Sequence, residues 1–153
     1  MNPASVMKLV TTYSALRLLG PTYTWETALL ADAPPANGTL ARYRLQEWLT
    51  FIGTELHKGF SPLFNPATPE EYKPMVRERL LQRLQWVDSQ LAGKQYLMGD
   101  QFTVADGYLF TVTNWTQPTK LDISGLAHLA VYRERVGARP AVQAAMKAEG
   151  LLK

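Results

Sequence analysis

The chain has 153 residues, 46% of them hydrophobic and 19% charged, which fits one soluble domain around a single apolar core, and no stretch is apolar for long enough to cross a bilayer. A formal net charge of +3 favours the approach of an anionic small molecule but is too small for a nucleic-acid-binding footprint. The sequence contains no cysteine, which excludes disulfides, thiolate metal sites and a thiol nucleophile of the chain's own, and the expected compartment is the cytoplasm.

Residues 1–36 carry little pattern. Thr11, Thr12, Tyr13, Ser14 and Arg17 break any apolar core that a secretory leader would need, and "ADAPPANG" (31–38) is a run of breakers resembling a linker. Residues 37–153 read as helices. Thr39 is placed to cap a long helix whose Leu45, Trp48, Leu49, Ile52 and Leu56 share one face. "GFSPLFNPATP" (59–69) reads as a loop by its Gly and Pro content, and Thr68, Pro69 and Glu71 supply the cap, first-turn proline and capping-box acid of a second helix. Pro74 lies too deep for that first turn, so the chain is expected to kink or restart before Val76, Leu80, Leu84, Val87 and Leu91 form an apolar stripe closed by Gly93. A third helix follows in "FTVADGYLFTVTNW", with Thr103 and Asp106 as a reciprocal cap and Tyr108, Val112 and Trp115 on one face. Ser124 is expected to cap a fourth, with Leu129, Tyr132 and Val136 inward and its end near Arg139. Pro140 opens a short last one that stops at Gly150. No strand pair or internal repeat is evident after residue 37, so the expected fold is all-α, a helical bundle of about five helices.

Few residues stand out as chemistry. Asp106 amid "TVADGYLF" is explained by capping, without catalysis. Arg77, Arg79 and Arg83 are interleaved with Glu78 and Asp88 and read as a solvated face, not a nucleic-acid surface. His128 has no second histidine or acid cluster with which to hold a metal and is read as structural. That leaves "TELHKGF" (54–60), where His57 and Lys58 either complement the negative end of a helix dipole or face a ligand, and spacing alone leaves both readings open.

"YLMGDQFTVADGYLF" is similar to the glycine, cap and "AD" signature of the C-terminal helical domain of glutathione transferases, and "ELHKGF" with "TPEEYKP" resembles the bacterial beta class. The likeness runs from about residue 31 to the C-terminus, and Gly107 departs from it where a staple partner for Phe102 is expected. The resemblance implies conjugation of glutathione to small apolar electrophiles, with glutathione as co-substrate and no other cofactor. It places Thr50, Thr54, Glu55, Leu56, His57 and Lys58 at the glutathione cleft. Lys58 would pair with a carboxylate, His57 would donate to the thiol or favour its thiolate, and Glu55 would meet the ammonium. Thr50 stands where the resemblance implies an asparagine that reaches glutathione across a homodimer. Trp115 corresponds to the wall of the electrophile pocket, beside its plain reading as core packing.

The family's thioredoxin-like half, with its Glu-Ser pair and cysteine, is not evident in residues 1–36. The expectation is therefore a truncated transferase chain with no catalytic residue of its own and little activity alone, prone to self-association through an uncovered apolar face. The alternative is a non-enzymatic helical module that binds a protein partner or apolar ligands. Neither metal, membrane nor nucleic acid is expected among its partners.

Overall fold

A computed structural model describes residues 35–151, and the regular elements among these residues are all helical. Helix α1 (Leu40–Phe51) continues through a π-helical stretch (Ile52–His57) into α2 (Lys58–Phe64); a single 3₁₀ turn (Glu70–Tyr72) leads into α3 (Lys73–Leu91), followed by α4 (Val104–Asn114), α5 (Ala127–Gly137) and α6 (Pro140–Ala148). Because α1, the π stretch and α2 form one continuous rod, the described residues build five rods. Their only β pairing is an isolated bridge between Tyr96 and Gly99.

The first rod starts where its sequence says: the Thr39 hydroxyl accepts from the Arg42 N–H at 3.2 Å. It does not stop at Gly59. Phe60 is completely buried and packs into the core with Ile52 and Leu56, and this burial outweighs the breaking tendency of Pro62 inside α2. Gly59 serves close approach here, since a Cβ on it would stand 2.8 Å from Leu80 Cδ2 on α3. The expected start of the second helix at Thr68 is also corrected. The chain makes the 3₁₀ turn first, and α3 begins at Lys73 with Pro74 in its first turn, where a missing N–H costs nothing.

Helix α3 lies at the centre, with Val76, Leu80, Leu84, Val87 and Leu91 buried along one face. Helix α4 is anchored by Asp106, which has no exposed surface. Its carboxylate accepts from the Leu97 N–H at 2.9 Å, the Thr103 N–H at 2.8 Å, the Thr103 hydroxyl at 2.9 Å and the Tyr132 hydroxyl at 3.1 Å. Burial pushes this carboxyl above its ordinary value, against the pull of those hydrogen bonds. At Gly107 a Cβ would lie 4.0 Å from Phe102. In the absence of a staple, Phe102 is covered by the Arg139 guanidinium, 3.9 Å from the ring centroid, and by Tyr96 edge-on at 5.5 Å.

Ser124 does not cap α5. The helix begins at Ala127, and its free Leu129 N–H is accepted at 2.8 Å by Asp88, which reaches across from α3 and also contacts His128 Nδ1 at 3.2 Å. Replacing Asp88 with alanine is expected to cost about 0.5–2 kcal/mol, the ordinary worth of an N-cap, in thermal unfolding. Asp88→Asn, which keeps an acceptor, should recover most of it; equal loss in both variants would show that the charge and not the cap matters.

Candidate functional site

The π stretch is where the site is built. A wide turn closes with the Lys58 N–H bonded to the Gly53 carbonyl, five residues back, and such widened turns re-aim side chains. Here the register sends neighbouring residues to different helices. Leu56 points into the core with no exposed surface, so its side chain packs there and does not line an open cleft. Glu55 faces α3, where its carboxylate accepts from Arg83 Nε at 2.9 Å and lies 3.7 Å from Arg79. An ammonium group would have to compete with two guanidinium groups for it. Both of these arginines stay exposed beside the carboxylate that pairs with them, and Arg77 Nε bonds to the Thr119 carbonyl at 3.5 Å.

His57 faces the other way, toward α4. Its Nδ1 lies 2.7 Å from the Tyr108 hydroxyl, and its ring stands edge-on to Trp115 at 4.8 Å between centroids. Phe60 and Phe64 meet Trp115 edge-on at 5.9 and 5.7 Å, so the indole is held on several sides while remaining part-exposed. This is an aromatic wall with one imidazole at its rim. A Cβ on Gly53 would lie in ordinary contact with the Tyr108 oxygen, at 3.6 Å, so the approach of Tyr108 does not depend on a glycine there.

Thr50, Thr54 and Lys58 recur along the exposed side of the rod. The Thr54 hydroxyl donates back to the Thr50 carbonyl at 2.9 Å, and Thr54, Glu55 and Lys58 border a pocket of about 200 Å³ with Pro62 and Arg79. The larger concavity, about 690 Å³, lies elsewhere, between α1 and α3, lined by Trp48, Phe51, Trp86, Arg83 and Lys94. It contains none of the residues that the resemblance places at the glutathione cleft. Of the six residues expected at one cleft, the structure gathers Thr54, Glu55 and Lys58 on one pocket, turns His57 to the aromatic wall, leaves Thr50 on the open surface and buries Leu56. Among the described residues there is no cluster of three metal-ligating side chains and no helix long and apolar enough to cross a membrane.

Two features escaped sequence reasoning. Tyr108 was legible only as a helix-face aromatic, because nothing local signals that its hydroxyl meets a histidine 51 residues away. The second is Ser5-Val6-Met7-Lys8, the S-x-x-K spacing that sets a nucleophilic serine one helical turn from a lysine in penicillin-binding enzymes. It lies outside the described residues.

Comparison with known proteins gives each end a relative. Residues 51–140 match the model of the glutathione S-transferase C-terminal domain, and residues 1–53 match that of the D-Ala-D-Ala carboxypeptidase 3 (S13) family. The S-D-N and K-T-G motifs that accompany S-x-x-K in class A β-lactamases and penicillin-binding proteins do not occur in this sequence. The chain is 50% identical over 128 residues to glutathione S-transferase GstA of Escherichia coli O157:H7, covering 80% of this chain and 64% of that protein. Among solved structures it resembles a bacterial beta-class glutathione S-transferase of Sphingomonas chungbukensis, at 42% identity and a TM-score of 0.73, over 77% of this chain and 59% of that one. It also resembles a sphingomonad glutathione S-transferase complexed with glutathione, at 43% identity and a TM-score of 0.72, with the same coverage. The chain thus spans about two thirds or less of the length of each of these relatives.

Proposed function

This chain belongs to the glutathione S-transferase family through its C-terminal domain, and on that premise we propose that residues 37–153 supply the helical half of a cytoplasmic glutathione-conjugating site. The observation that carries the proposal is the wall of His57, Tyr108 and Trp115 beside the π turn. An exposed imidazole beside a part-exposed aromatic surface suits a thiol meeting an apolar electrophile. Lys58 and Thr54 offer an ammonium and a hydroxyl for a glutathione carboxylate on the adjoining pocket. Glu55 acts by fixing Arg83 and Arg79 and not by meeting the ammonium.

These few contacts, each worth about 0.5–3 kcal/mol, are of the same order as the ordering cost of a flexible tripeptide. Calorimetry with reduced glutathione is therefore expected to show binding in the millimolar range, and a conjugation assay with an aromatic electrophile little turnover. Micromolar affinity or robust turnover by this chain alone would overturn the half-site reading.

A non-enzymatic binding module is the second reading. It is favoured by exposed Leu40, Tyr43 and Trp86 near the groove between α1 and α3, a surface suited to self-association. Sedimentation is expected to show concentration-dependent association; a monomer at every concentration counts against that surface as an interface.

A further inference from the structure

We propose that Tyr108 is a positioning residue for His57, holding the imidazole in its Nε2–H form so that the ring presents a hydrogen-bond donor to the thiol of glutathione. The inference rests on the glutathione reading above for the identity of the acceptor, but not for the state of the ring.

The Tyr108 hydroxyl and His57 Nδ1 are 2.7 Å apart, and two arrangements are open to them. Either the phenol donates to an unprotonated Nδ1, or a protonated Nδ1 donates to the phenol oxygen. A phenol is a stronger acid than a neutral imidazole N–H, and the pyridine-like imidazole nitrogen is a stronger base than a phenol oxygen. Both differences favour donation by tyrosine, which leaves the single proton of the neutral ring on Nε2.

Two more contacts restrict the ring. The imidazole stands edge-on to Trp115 at 4.8 Å and an 83° interplanar angle, and edge-on to Tyr108 at 5.7 Å and 71°. The ring thus makes one hydrogen bond and two edge-to-face contacts. Among the described residues Nδ1 is the only hydrogen-bond partner of the Tyr108 hydroxyl, and Nε2 has none. His57 remains exposed, so its free N–H is available to a ligand. A neutral N–H donor stabilises a thiolate without a proton transfer of its own.

The sequence could not have shown this. Tyr108 reaches His57 because α4 packs against the π stretch, and His57, two residues after Glu55, falls on the opposite side of the rod from the α3 side that Glu55 occupies.

The test uses the full chain labelled with ¹⁵N-histidine, and His128→Gln separates the two histidines. Two-bond proton–nitrogen correlation spectra are expected to show His57 with Nε2 protonated and Nδ1 unprotonated and hydrogen-bonded. Tyr108→Phe keeps the aromatic ring and should convert that pure form into a mixture of tautomers, with circular dichroism unchanged. A protonated Nδ1 in the parent chain, or spectra indifferent to Tyr108→Phe, overturns the proposal. Should that variant misfold, the parent spectrum alone still decides between the two nitrogens. Reduced glutathione at millimolar concentration is expected to move the Nε2 signal. Calorimetric binding that leaves Nε2 unmoved overturns the donor role, whereas no heat at all beside an intact Nε2–H form overturns the glutathione reading and retains the tautomer assignment.

Discussion

Replacing Asp106 with alanine should lower the unfolding free energy by about 3–5 kcal/mol, because it strips the acceptor from three buried donors at once and leaves them unpaired. The Leu97 N–H, the Thr103 N–H and the Thr103 hydroxyl depend on this one side chain, which has no exposed surface, whereas the Tyr132 hydroxyl also donates to the Asp106 main-chain carbonyl at 3.1 Å and keeps that partner in the variant. For a domain of this size the loss corresponds to a fall of about 10 °C or more in the midpoint of thermal unfolding. Tyr132→Phe removes a single donor and should cost far less. The double variant should fall short of the sum, since the two residues act on one hydrogen-bond set. A loss under about 1 kcal/mol for Asp106→Ala would mean that water replaces the carboxylate, and the anchoring role would be wrong.

The same residue has a pH signature opposite to that of a salt-bridged aspartate. Burial raises the Asp106 carboxyl in the folded state above its unfolded value of 3.8, so the folded chain holds the proton more tightly than the unfolded one. The contribution of this group is fully present below the unfolded value and is lost as pH rises through the folded value. The stability of the parent chain relative to Asp106→Asn should therefore improve as pH falls through that window. A relative stability that declines on acidification would show the hydrogen bonds outweighing desolvation.

Phe60→Ala should be comparably damaging, at about 3–5 kcal/mol for emptying a fully buried aromatic site. Phe60 is 0% exposed and supports Trp115 edge-on at 5.9 Å, so the cavity opens directly beneath the proposed electrophile wall. Denaturant unfolding measures the first effect, and a shift in tryptophan emission that Phe64→Ala reproduces only weakly measures the second. If Phe60→Ala leaves stability within about 1 kcal/mol of the parent, "GFSPLF" behaves as the loop its composition suggests and not as the helix the core imposes.

The apolar stripes of α1, α3 and α5 were readable from spacing, as were the Thr39 cap, the glycine stop after Leu91 and the proline start of α6, because these depend on residues within a turn of one another, whereas of the expected α4 face only Val112 is buried and Tyr108 and Trp115 stay part-exposed. The site was legible only in part. "TELHKGF" marked the right stretch of chain, but neighbouring residues within it serve three separate surroundings: Leu56 the core, Glu55 the arginines of α3, His57 the aromatics of α4.

What sequence alone determined was therefore the class and the order of the helices, since periodic burial and local caps need no partner to be recognised. Tertiary structure decided the continuation of the first rod through Gly59 and Pro62, the capping of α5 by Asp88 in place of Ser124, and the union of His57 with Tyr108. Each depends on a contact between residues far apart in the chain. The energy of such a contact exists only once the helices have packed, and local pattern carries no trace of it.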